Sequence, residues 1–220
     1  MHMSSPGMAP YVMPDPATLP PDRSGWAIDP RRAALLVLNV QNHLLHVLRE
    51  SSAPADQLVA GVGALTESAR AAGIPVLYTV AAAEREPTGR GVAFGHPRFP
   101  GDDDSRAVVD AIRPQVGDSV LAAKRFSAFA GTGLRRHLAE VGRDQPVIVG
   151  VFARTQVLLT AADAWMQYME PFVVADAVAD RARDDQQMAV DWIAATCGAV
   201  RTVRGVADVF GGPDSLARAT

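Results

Sequence analysis

Short apolar runs and amphipathic stretches alternate along most of this chain. Ala34-Leu35-Leu36-Val37-Leu38 is too short for a helix and rich in strand formers. Residues 54–72 then carry Leu58, Val59, Val62, Leu65 and Ala69 at helical spacing, and Gly73 supplies a C-cap. Pro75-Val76-Leu77-Tyr78-Thr79-Val80 reads as a second strand. Residues 81–103 show no period and read as a long loop, a length that in compact domains usually signals function or disorder. The second half repeats the alternation. It predicts helices over about 104–113, 130–141, 156–168 and 184–196, and strands over about 118–123, 146–151, 172–175 and 199–203. Strand and helix in alternation mean an α/β fold, with a mostly parallel sheet covered on both faces.

Residues 1–32 hold seven of the 16 prolines and little periodicity. They read as an extended arm, with Tyr11 and Trp26 as anchors, before one domain over 33–210 and a tail over 211–220. In open α/β sheets ligands sit beyond the carboxyl ends of the strands. The segments to inspect are therefore 39–44, 81–98, 123–126, 152–156 and 176–180.

Composition narrows the chemistry. The chain has 220 residues, 48% of them hydrophobic and 20% charged. That suits one globular domain able to bury roughly 70% of its unfolded surface without disulfides. Cys197 is the only cysteine, which excludes a disulfide scaffold, a paired-cysteine redox site and a cysteine zinc cluster. With 21 basic and 24 acidic residues the net charge is −3, which argues against a nucleic-acid partner. No apolar run approaches the roughly 20 residues of a membrane span, and no signal peptide is apparent, so a cytoplasmic protein is expected. Gly61-Val62-Gly63 lies inside a helical pattern and is no phosphate loop. Asp102–Asp104 reads as a helix N-cap and first turn, without calcium-loop spacing. Neither a metal nor a cofactor is expected.

Four segments resemble the isochorismatase-like, or cysteine hydrolase, superfamily. They are LPPDRSGWAIDPRRAALLV (Leu19–Val37), RFSAFAGTGL (Arg125–Leu134), AEVGRDQPVIVGVFA (Ala139–Ala153) and EPFVVADAVAD (Glu170–Asp180). Within the superfamily the chain is most similar to isochorismatases, including the 2-amino-2-deoxyisochorismate hydrolases of phenazine pathways. The resemblance implies a Rossmann-like three-layer α/β/α sandwich with about six strands, and a homodimer or higher oligomer. It also implies a non-proline cis peptide at Val151–Phe152. The family site has an Asp after the first strand, a Lys after the third, and a Cys at the helix after the fourth. In isochorismatases a small residue replaces the Cys and the Asp is the general acid.

Matched residue by residue, the chain departs at all three catalytic positions, which read Asn39, Ala123 and Gln156. Asparagine cannot deliver a proton at ordinary pH, and glutamine is no nucleophile. Lys124 stands one residue late, so it points to the other face unless the strand bulges; otherwise it is a solvated surface lysine. His43 is either a substitute acid or a satisfied boundary histidine. The resemblance further places Gln41, Arg90, His96, Phe126, Phe152 and Arg154 around the substrate. The two arginines suit a carboxylate by bidentate donation, although a loop arginine is more often simply solvated. Two functions follow as expectations. One is a natural-product enzyme acting on a small anionic, carboxylated ring without thiolate chemistry. The other is an inactive relative that binds a ligand or a partner protein.

Overall fold

The computed structural model describes residues 9–81 and 102–211. Six strands form one sheet: β1 Ala33–Leu38, β2 Val76–Ala81, β3 Ser119–Ala123, β4 Gln145–Val151, β5 Phe172–Ala179 and β6 Ala199–Arg201. Their order is β3-β2-β1-β4-β5-β6, and every neighbouring pair is parallel. Seven α-helices are present among the described residues: α1 Asn42–Glu50, α2 Ala55–Ala71, α3 Asp103–Arg106, α4 Leu134–Glu140, α5 Leu158–Met166, α6 Arg183–Thr196 and α7 Val203–Phe210.

All six β1 side chains are buried, because both sheet faces are covered. Leu35 and Val37 pack with α2 residues Leu58, Val62 and Leu65 and with Phe210 of α7. Leu36 and Leu38 pack on the opposite side, with Leu134 of α4, Ala161 of α5 and Ile193 of α6. The period-2 alternation of a strand thus feeds two separate cores. No helix among the described residues is long and apolar enough to cross a membrane.

Several boundaries differ from the sequence-based expectation. The helix expected over 104–113 is one turn long. Asp102 caps it by accepting from Ser105 N at 2.7 Å, but Ala107 is extended and Val108 pairs with Gln41 in an antiparallel bridge. Tertiary pairing overrides helix propensity there. Helix α1, where the pattern predicts no element, forms because Leu44, Leu45 and Leu48 bury one face. The helix expected from 156 begins as a wider π turn over Ala153–Val157, with Val157 N donating to Phe152 O. Strand β5 runs four residues past its expected end. Ile148 pairs with Val173 but Gly150 pairs with Val178, so β5 bulges between them. Gly61 lets α2 approach this bulge: a Cβ there would lie 3.1 Å from Asp176 O. The final strand ends at Arg201, and α7 follows it with Thr202 as N-cap. Cys197 lies just after α6, not within it.

The arm is anchored as its aromatic residues suggest. Trp26 packs edge-on against Phe172, whose ring also lies under the Arg201 guanidinium. The Tyr11 hydroxyl donates to Asp180 O at 2.6 Å and accepts from Asp180 N at 3.2 Å. Burial pushes this phenol up to about 12, so it stays protonated. Tyr11→Phe strands two buried backbone groups and is expected to cost ~1–3 kcal/mol. Urea unfolding should show a lower midpoint at an unchanged slope.

Candidate active site

The strand order reverses direction between β1 and β4, and such a switch point opens a crevice at the carboxyl edge of the sheet. Asn39 leaves β1 at this point with φ +54°, in the left-handed region. Asparagine tolerates that conformation better than most residues. Asn39 is 2% exposed. Its N–H donates to Thr79 O at 3.0 Å, and its Oδ1 accepts from the Thr79 hydroxyl at 2.8 Å.

Across the switch point, β4 ends in the cis peptide Val151–Phe152, as the resemblance implied. The π turn that follows carries Gln156, which is 7% exposed. Gln156 Oε1 accepts from Phe152 N at 3.0 Å and from the Thr155 hydroxyl. Ala123 closes β3, buried, in register with Ala81 at the end of β2. The three positions matched to the family site therefore share one edge of the sheet. None of them carries an ionisable side chain.

Other expected residues are placed differently. The β2–β3 register runs without a bulge from Leu77–Ser119 to Ala81–Ala123, and Lys124 is exposed beyond the strand. The bulge that would turn Lys124 to the face of Ala123 is absent from the described β3. Gln41 is bonded to the scaffold. Its Nε2 donates to Arg106 O at 2.6 Å, and its Oε1 accepts from Ala81 N at 2.8 Å. The Arg154 guanidinium pairs with Asp185 of α6 at 2.8 Å, so its charge is already compensated. Phe152 is buried against the α1/α2/α7 core, and Phe126 is half-buried beyond β3. Arg90 and His96 lie outside the described residues.

His43, on α1, is buried, and its Nδ1 lies 2.7 Å from Ser105 O. A carbonyl only accepts, so Nδ1 holds the proton and Nε2 carries the lone pair of the neutral ring. Burial lowers the His43 pKa below 6.5, against opposing pulls from the Ser105 hydrogen bond and the Asp102 charge. A neutral ring with its one N–H engaged is poorly suited to act as a general acid. Between the folded value and 6.5 the unfolded chain binds more protons, so stability rises with pH through that window and is lost as pH falls. An NMR titration should give a His43 midpoint below 6.5. His43→Asn should lose this part of the pH dependence of unfolding.

Two supporting residues escape the sequence reading. Thr79 is visible there only as one polar residue in an apolar strand. Asp180, buried after β5, accepts from Arg154 N and Arg181 N, both at 2.8 Å, and so fixes the π turn. Burial raises its carboxyl above the ordinary range. Cys197 sits at the opposite, amino-terminal edge of the sheet beside β6. Burial pushes its thiol up to about 11, away from thiolate chemistry.

Comparison with known proteins agrees with this architecture. The family model for the isochorismatase domain matches residues 33–205. The phenazine biosynthesis protein PhzD of Pseudomonas fluorescens is 37% identical over 199 residues, which span 90% of this chain and 95% of that protein. Enterobactin synthase component B of Escherichia coli is 34% identical over 200 residues, 90% of this chain and 70% of that protein. The crystal structure of a cysteine hydrolase from Pseudomonas syringae superposes with a TM-score of 0.71. It covers 88% of this chain and 98% of its own, at 21% identity, and so speaks for the fold alone. With a parallel sheet switching direction at Asn39, a site assembled along its carboxyl edge and a family match that begins at β1 and ends in α7, this chain belongs to the isochorismatase family.

Proposed function

We propose that this chain is a natural-product biosynthesis enzyme that acts on a small carboxylated ring, chorismate-derived or similar. It does so by non-thiolate chemistry that uses no acid at position 39. The observation that carries this reading is the polar construction of the switch point. A silent site is free to fill with apolar side chains. Here two buried carboxamides stand, one of them on left-handed backbone, and burying a polar group or holding a non-glycine residue at positive φ has a cost. Positioning and electrostatic stabilisation remain available to such a site without a proton donor. The similarity to PhzD and to enterobactin synthase component B supports the biosynthetic setting.

One observation favours a second reading, a relative that binds without catalysing: Asn39, Ala123 and Gln156 offer no group that titrates near neutral pH. Isochorismate and its 2-amino-2-deoxy analogue separate the two. Each is incubated with the protein and followed by NMR for loss of the enolpyruvyl group or any other conversion. Consumption above a buffer blank is the expected result. Binding without consumption would replace the enzyme reading with the binding one, and neither binding nor consumption would overturn both.

The proposal includes a homodimer or higher oligomer. Trp165, Met166 and Tyr168 at the end of α5, and Met188 and Trp192 on neighbouring α6, are exposed. These residue types are enriched at protein interfaces. Light scattering should give at least twice the monomer mass, and Trp165→Glu with Trp192→Glu should reduce it.

A further inference from the structure

The two buried carboxamides are both held by their oxygens. Phe152 N–H can only donate, so the Gln156 atom 3.0 Å from it is the oxygen, and the amide orientation is fixed. In Asn39 the oxygen lies 2.8 Å from the Thr79 hydroxyl, which donates to it. Each amide nitrogen is thereby turned away from the scaffold. Neither Nδ2 of Asn39 nor Nε2 of Gln156 has a hydrogen-bond partner among the described residues, and neither is sealed in the interior. Asn39 directly follows β1, and Gln156 lies in the turn that follows the neighbouring strand β4. Leu38 pairs with Gly150 across β1 and β4, and adjacent strands run about 4.8 Å apart. Asn39 follows Leu38, and Phe152, which holds Gln156, follows Gly150 by two residues.

We propose that Asn39 Nδ2 and Gln156 Nε2 form a two-donor cradle for an acceptor oxygen of the ligand, a carboxylate in particular. This rests on the reading of the switch point as the pocket for a carboxylated ring. Where the family pattern places a carboxylate, which repels an anion, this chain presents an N–H. The second N–H stands where a nucleophile would otherwise be. Oriented donors in a site shielded from water bind an anionic oxygen far better than they would in bulk solvent. The Phe152 N–H acts as a positioning group, since it decides which end of the Gln156 amide faces the ligand, and the Thr79 and Thr155 hydroxyls hold the two oxygens in place.

Benzoate and its neutral isostere benzamide test the cradle, with the ¹⁵N-labelled full chain. Asn39→Asp and Gln156→Glu replace each donor by an acceptor of the same shape. Asp keeps an oxygen for Thr79, and Glu keeps one for Phe152 N–H, so both variants should fold; circular dichroism melts check this. In the unaltered protein benzoate should shift the side-chain NH₂ signals of both residues, assigned by their disappearance in the variants. At pH 8 each variant should bind benzoate at least tenfold more weakly, and benzamide should lose less. Absence of benzoate binding at tens of millimolar would overturn the proposal. So would binding that leaves both NH₂ signals in place, or affinity unchanged in both variants. A benzoate response without conversion of isochorismate would keep the cradle and remove the enzyme reading, so the two fail separately.

Discussion

Gly150→Ala is expected to be the most damaging single substitution in the described part of this chain. Gly150 has φ +116°, a conformation L residues rarely adopt. A Cβ there would lie 2.1 Å from Leu38 O and 2.8 Å from Leu38 N. Those atoms are backbone of the central strand, and β1 is fixed on its other side by pairing with β2. Nothing nearby can move to make room. The expected cost is ~4 kcal/mol or more, the exceptional end of single-substitution effects, and it should appear as insoluble protein or a collapsed denaturation midpoint. Gly63→Ala is the matched control. Its nearest neighbour would be Ile112 Cγ2 at 3.6 Å, an ordinary contact within a helix. It should stabilise by roughly 0.5–1 kcal/mol. A Gly150→Ala protein as stable as the parent would refute the close β1–β4 approach that builds the switch point.

Asn39→Asp combined with Ala123→Lys is expected to raise enolpyruvyl release from isochorismate by at least ~10²-fold, the lower end of what general acid catalysis contributes. The new carboxyl would occupy a site only 2% exposed, beside the Thr79 hydroxyl. Burial disfavours its charged form and so raises its pKa, the direction an acid needs near neutral pH. Lysine at the buried end of β3 would offset the carboxylate charge, whose unpaired burial is costly. The gain should appear in kcat while KM rises, because Asn39→Asp surrenders one donor of the proposed cradle. Steady-state pyruvate release, read beside thermal melts, decides it. A folded double variant with no gain would mean that the cavity differs from an isochorismatase site beyond these positions.

How much of this is legible in the linear chain differs between elements. The β1 and β4 runs and the α2 pattern end within a residue or two of where the structure ends them, because their periodicity is dictated by burial on two faces. Helices α1 and α7 escape the pattern, and the helix expected over 104–113 is overextended. The first two are stabilised by single apolar faces of only a few residues. The third is cut short by the pairing of Val108 with Gln41, a residue remote in the chain. At the site, the family resemblance points to Asn39, Ala123 and Gln156, with Gln41 and Arg154 around a substrate; the hydrogen bonds of Gln41 to backbone groups and of Arg154 to Asp185 are visible only in the structure.

The sequence by itself determined the kind of fold, the family resemblance and the residue types at Asn39, Ala123 and Gln156. Those are properties of residue identity and period, which the linear chain carries in full. Only the tertiary structure decided which end of the Gln156 carboxamide the Phe152 N–H holds, which proton His43 keeps and why Gly150 must lack a side chain. Each of those depends on the partner across a strand or turn. Hydrogen-bond direction and steric exclusion are set by that partner, and identity alone does not name it.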